Sequence, residues 1–157
     1  MSTGADIDVE FDTDLVYRLE RLRTDRVKLP LRTDEDVVYL RKHVRERAVG
    51  IGLSLVDQTK LITAASELAR NTIKYGGGGM VCLDKLADGL RQGVGIVFID
   101  AGPGIADLDM ALRDGYTTGG GLGLGLGLSG SKRLVDEFDI DTRYGEGTAI
   151  AVVKWKR

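Results

Sequence analysis

The feature that most limits what this chain can fold into is the ribbon "GYTTGGGLGLGLGL", from Gly115 to Leu128. Seven of the thirteen residues from Gly115 to Gly127 are glycine, and the last of them alternate strictly with leucine. Glycine loses more backbone freedom on ordering than any other residue, so this run suits neither a helix interior nor a central strand. Leucine, in turn, is foreign to a flexible linker. Two readings fit. One is a low-complexity loop. The other is a lid whose glycine N–H groups turn inward around phosphate oxygens, with the helix expected near Ser129 pointing its positive end at the same place.

Other phosphate-binding patterns fit less well. Gly125, Gly127 and Gly130 match G-x-G-x-x-G, but "DGYTTGG" is no buried strand and no βαβ unit surrounds it. A Walker loop needs G-K-[ST], where this chain reads "GSK".

The rest of the chain can build one domain with a real core: 157 residues, 43% apolar and 29% charged. A formal charge of −2 gives no general attraction to nucleic acid or to an anionic membrane. No apolar run approaches the length of a membrane span. The N-terminus is acidic where a signal peptide would be basic and then apolar, and the single cysteine, Cys82, excludes an internal disulfide. A cytoplasmic protein is the expectation. His43 stands alone in a helix-like segment, which disfavours a zinc or Cys–His site.

Residues 1–25 read as an N-terminal extension, a solvated, flexible tail with a short helix in "LVYRLERLR". The domain is expected over residues 26–157. "VKLPL" reads as an edge strand because of Pro30. Thr33 caps one helix with three acidic residues in its first turn, and Ser54 starts a longer helix that runs to about Tyr75. "MVCLDKL" and "VGIVFID" read as a hairpin, "SGSKRLVDEF" as a third helix, and "DIDTRY" and "TAIAVVKW" as a second hairpin turning at Gly145 to Gly147. The order β-α-α-β-β-ribbon-α-β-β predicts an α+β two-layer sandwich: a mixed, mostly antiparallel sheet covered on one face by helices.

Candidate chemistry falls in two places besides the ribbon. On the long helix, Glu67, Asn71 and Lys74 lie within about 60° of one another, opposite the apolar stripe of Leu61, Ala65, Leu68 and Thr72. They form either a solvated face or a site with a base, an oxygen ligand for Mg²⁺ and a cation for phosphate. Asn71 favours the site, because asparagine is an indifferent helix former placed mid-helix. In "FIDAGPGI", Asp100 ends an apolar strand and Gly102 and Gly104 flank Pro103. That is either a tight turn or an acceptor for an exocyclic amino group, with glycines that let the backbone approach a flat ring.

Taken together, "SELARNTIKY", "DAGPGI", "GGGLGLGLGL" and "GEGTAI" resemble, in order and spacing, the four nucleotide motifs of the GHKL ATPases. Within that superfamily, "ITAASELARN", "GYTTGGGLG", "KRLVDEF" and "GTAIAVVKW" resemble the RsbT-like switch-protein serine/threonine kinases. The resemblance covers about residues 26 to 157. It implies a Bergerat ATP site with Glu67 as catalytic base, Asn71 as Mg²⁺ ligand and Lys74 close to the phosphates. Asp100 would accept the adenine amino group, Gly102 and Gly104 would surround the ring, and Thr148 would lie beside the adenine water network. Gly121, Gly123, Gly125 and Gly127 would form the lid. The ribbon carries about one Gly-Leu pair more than the usual pattern, which leaves open which glycine meets which phosphate.

The implied activity is phosphorylation of a STAS-domain antagonist, which frees the kinase to activate a phosphatase or signalling enzyme. The alternative is an anti-sigma factor that sequesters an RNA-polymerase sigma factor. A third reading, a relic that binds nucleotide without transfer, is opposed by the retained Glu67 and Asn71. No histidine kinase is expected, since there is no room for a phosphoacceptor helix pair.

Overall fold

The computed structural model describes residues 13–113 and 127–157. Strands β1 (Arg23–Leu31), β2 (Gly79–Asp88), β3 (Arg91–Asp100), β4 (Glu137–Arg143) and β5 (Gly147–Trp155) form one sheet in the order β1-β2-β3-β5-β4. Every neighbouring pair is antiparallel. The α+β sandwich expected from the sequence is present, with no parallel pair among the described residues.

Helix α2 (Asp34–Ile51) starts at a reciprocal cap: the Asp36 N–H donates to Thr33 Oγ1, and the Asp36 carboxylate accepts from the Thr33 N–H. It ends at Gly52, whose φ of 84° is the left-handed geometry that closes helices. Ser54 caps α3 (Leu55–Gly76) in the same way, by accepting from the Asp57 N–H. Val37, Leu40, Val44 and Ala48 of α2 meet Leu61, Ala65, Leu68 and Ala69 of α3 over Leu83, Ile96, Phe98 and Val152 of the sheet. Leu128 of α5 (Gly127–Arg133) joins this core. A four-residue helix, α4 (Leu108–Ala111), follows the β3 loop.

The second face of the sheet departs from expectation. Helix α1 (Asp14–Leu22) is capped by Thr13 and buries Leu15 and Leu19 against Cys82, Leu86, Val97, Val153 and Trp155. The reading of this stretch as a solvated tail is therefore corrected from Thr13 onward, and β1 begins at Arg23 rather than Val27. The reason is in the strands: β5 is buried along its whole length, so its outward-pointing Ala151, Val153 and Trp155 need a cover. Arg18 ties α1 to β4 through Glu137 at 2.6 Å, and Arg26 of β1 grips the fully buried Asp84 at 2.7 Å.

The third helix is also shorter than "SGSKRLVDEF" suggests. Asp136 ends it by pairing with β5, donating its N–H to the Val153 carbonyl and accepting the Trp155 N–H on its carboxylate. "EFDIDTR" is strand.

Candidate nucleotide site

Helix α3 carries the first group of candidate residues. Ser66, Leu68, Ala69 and Thr72 are buried, while Asn71 is half-buried and Lys74 is exposed. The Glu67 side chain is mostly withdrawn from water, at 13% exposure, and Arg70 Nη1 donates to its Oε1 at 3.0 Å. Lys74 stands in the last turn, its Nζ 5.1 Å from the centre of the Tyr75 ring. At 1.5 Å rise per residue, Asn71 is roughly 7–8 Å along the axis from the helix end at Gly76.

That end abuts Asp100. The register of the sheet sets Asp100 opposite both Gly79 and Thr148, so the carboxylate lies in the middle strand with neighbours on each side. It is buried, at 8% exposure, and its Oδ1 accepts the Gly102 N–H at 2.9 Å. Burial pushes its pKa up, and hydrogen bonds from the Gly102 and Thr148 backbone pull it back.

The glycines around it permit close packing. A β-carbon on Gly76 would lie 2.5 Å from Asp100 Oδ2, and one on Gly102 would lie 2.7 Å from the Gly76 Cα. Gly104, at φ 76°, presses on the Arg143 carbonyl, where a β-carbon would stand 2.5 Å away. The sequence reading gave Gly102 and Gly104 to a flat ring. Here they also hold the loop against α3 on one side and the β4–β5 hairpin on the other.

Thr148 is buried, and its hydroxyl is 2.9 Å from that of Thr142, directly across the hairpin. Thr142 Oγ1 also accepts the Ile105 N–H at 2.8 Å, and the Gly145 N–H donates to the Pro103 carbonyl at 2.7 Å. These bonds fasten the "AGPGI" loop to the hairpin. Thr142 and Gly76 were missed by the sequence reading, because their partners follow from strand register and helix packing rather than from any local pattern.

Of the ribbon, Gly121, Gly123 and Gly125 lie outside the described residues. Gly127 opens α5 with φ 61°, and its carbonyl accepts the Ser131 hydroxyl at 3.1 Å. Leu128, Ser129 and Ser131 are buried where α5 packs on α3.

The constellation thus comprises one helix face with a carboxylate and an amide, and a buried carboxylate at that helix's end. A glycine-walled loop and a paired-threonine hairpin complete it. The family of histidine kinase-, DNA gyrase B- and HSP90-like ATPases matches residues 56–157, the segment that contains all of these. The chain belongs to that family. Within it, this ATPase is 42% identical over 133 residues to the serine/threonine-protein kinase RsbT of Bacillus subtilis (strain 168), covering 85% of this chain and 98% of the relative. Its fold is similar to a crystal structure of the RsbU and RsbW domains of a Mycobacterium tuberculosis protein, with a TM-score of 0.56 at 20% identity. That likeness covers 85% of this chain and a third (33%) of the other. It concerns the fold alone.

Membership in the family implies bound ATP, and a metal ion fits the residues present. Among the described residues no cluster of three His, Cys, Asp or Glu side chains could hold one. A hard cation that takes few protein oxygens and the remainder from phosphates and water suits Mg²⁺, and the half-buried Asn71 amide is an oxygen donor of the kind such a site uses. Among the described residues no helix is long and apolar enough to cross a membrane.

Proposed function

We propose that the protein is an ATP-dependent serine/threonine-protein kinase of the RsbT type, working in the cytoplasm in a bacterial partner-switching pathway. Its substrate is a STAS-domain antagonist, and its release after phosphorylation activates a downstream phosphatase or signalling enzyme. The observation that carries this reading is the junction of α3 with Asp100. A withdrawn carboxylate, an amide and an adenine-type acceptor are tied to one rigid helix, in a chain 42% identical to a kinase.

The residues divide the work as follows. Asp100 accepts from the adenine amino group, and Thr148 and Thr142 hold the polar wall beside it. Asn71 would hold Mg²⁺, which would supply charge neutralisation at the phosphates. Glu67 takes the proton of the acceptor hydroxyl, whose oxygen forms a bond to the γ-phosphorus as the bond to the β–γ bridging oxygen breaks and ADP departs. Lys74 and the lid glycines Gly121, Gly123, Gly125 and Gly127 complete the phosphate environment.

The test uses γ-labelled ATP, Mg²⁺ and purified STAS-domain proteins from the same cell. Label on a serine or threonine of one of them, lost with Glu67→Gln, supports the kinase. Tight capture of a sigma factor with no labelled STAS protein overturns it.

A further inference from the structure

The Glu67–Arg70 contact differs from its counterparts elsewhere in the chain. Two other pairs at the same i,i+3 spacing, Glu20–Arg23 and Asp88–Arg91, are exposed at both ends, at 45% and 39% and at 50% and 49%. Such pairs are screened and contribute little. In Glu67–Arg70 the carboxylate retains 13% exposure while the guanidinium keeps 51%. The arginine reaches from solvent to a carboxylate that water largely cannot serve. Arg70 also stands next to Asn71 in sequence, six residues before the helix end at Gly76, and is exposed, so it flanks the same face without pointing into the buried side.

We infer that Arg70 is a positioning residue for the base, an assignment that rests on the reading of Glu67 as that base. Nη1 holds Oε1 at 3.0 Å, fixing the carboxylate's rotamer and leaving Oε2 to take the proton. A carboxylate on a freely rotating glutamate side chain samples several staggered wells, of which one faces the acceptor oxygen. Misplacement of a reacting group by about 1 Å can cost up to about 100-fold in rate. Loss of the arginine therefore lowers the rate of the chemical step and leaves nucleotide binding alone, because the hydrogen bond Arg70 makes is to the base. Lysine, with one compact charge in place of the planar fork, restores part of the hold.

The experiment measures turnover of Mg-ATP by the full chain, with water as the acceptor, together with nucleotide affinity by titration. The parent is compared with Arg70→Met, Arg70→Lys, Glu67→Gln and the double variant Glu67→Gln/Arg70→Met. The expected result is a kcat reduced roughly tenfold by Arg70→Met with KM and nucleotide affinity unchanged, and largely regained by Arg70→Lys. In the Glu67→Gln background, Arg70→Met has no further effect, since the group it positions is gone. Full activity of Arg70→Met, an effect on KM instead of kcat, or the same loss in the Glu67→Gln background overturns the positioning role while the base survives. Full activity of Glu67→Gln overturns the role of Glu67 and the inference with it.

Discussion

Gly76 and Asp100 are in contact, and no side chain on residue 76 could fit between them: a β-carbon there would lie 2.5 Å from Asp100 Oδ2 and 2.6 Å from Asp100 Cβ. The last residue of the helix that carries Glu67 and Asn71 is thereby seated on the group assigned to adenine. In the proposed site, this one glycine sets the adenine end and the phosphate end at a fixed separation.

Gly76→Ala should consequently disturb both. The added methyl must push Asp100 or the helix end aside, an overpacking cost of about 1–3 kcal/mol. Thermal unfolding should report that loss, and nucleotide titration a weaker affinity. Equal stability and equal affinity would mean that helix end and strand are not in contact as described.

Asp100 carries a conflict between stability and binding. Its folded pKa is raised, chiefly by burial, so the folded state holds its proton more tightly than the unfolded chain. The sign follows: the fold is favoured by this group below the carboxyl's unfolded pKa, and that contribution is lost as pH rises through the raised folded value. Relative to acid pH, this group therefore opposes folding as pH rises. Asp100→Asn keeps one acceptor oxygen for the Gly102 and Thr148 N–H groups and removes the charge, whose burial is the larger effect, so it should raise thermal stability at pH 7, with a gain that shrinks toward acid pH. The same variant should lose adenine affinity, because its amide N–H groups face another donor. Lower stability of Asp100→Asn at pH 7 would contradict the account.

Thr142 supports Thr148 from across the hairpin and accepts the Ile105 N–H. Thr142→Val preserves shape but leaves that N–H unpaired, a cost of about 1–3 kcal/mol. The loop after Asp100 should loosen, visible as faster amide exchange at Ile105. Thr142→Ser, which retains the hydroxyl, should restore protection.

These contacts explain what could be read from the sequence. Helix α3 was legible because burial repeats with the helical period from Leu61 to Thr72, and Asp100 was legible because a charge closes an apolar strand. Gly76 was hidden in a run of glycines whose first member differs from the others only by what stands opposite it. Thr142 became important through its register with Thr148, which a local pattern does not encode. The short helix in "LVYRLERLR" was legible but its docking on the sheet was not, because the nine residues of α1 bury only Leu15 and Leu19, too few to outweigh an acidic, charged neighbourhood. The boundary between α5 and β4 moved because Asp136 is claimed by β5, a partner that follows it in the chain.

Leu19 tests the corrected role of α1. It is 1% exposed and packed on the second face of the sheet. Leu19→Ala should cost about 2–5 kcal/mol, the usual range for truncating a buried leucine. Tyr17→Ala, at a 64% exposed position of the same helix, is the control and should change stability by less than about 0.5 kcal/mol. Denaturant unfolding of both distinguishes a packed helix from a tail, in which neither change would matter.

Asn71 is the residue on which the metal assignment depends. It is half-buried on α3, away from the Leu61, Leu68 and Thr72 stripe, so Asn71→Ala should fold normally and even gain a few tenths of a kcal/mol of helix propensity. Its effect should appear only with metal. For the parent chain, nucleotide affinity should fall when Mg²⁺ is removed by chelator. For Asn71→Ala it should already be low and respond little to the chelator, because the protein's oxygen on the cation is missing. Asn71→Asp offers a stronger oxygen ligand but adds a charge close to the phosphates, so its Mg²⁺ dependence should be retained with a shifted midpoint. Comparing the affinities of all three proteins with and without Mg²⁺ isolates the metal contribution from nucleotide binding as a whole. An Asn71→Ala protein that keeps the parent's full Mg²⁺ dependence would place the cation on other residues and remove Asn71 from the site.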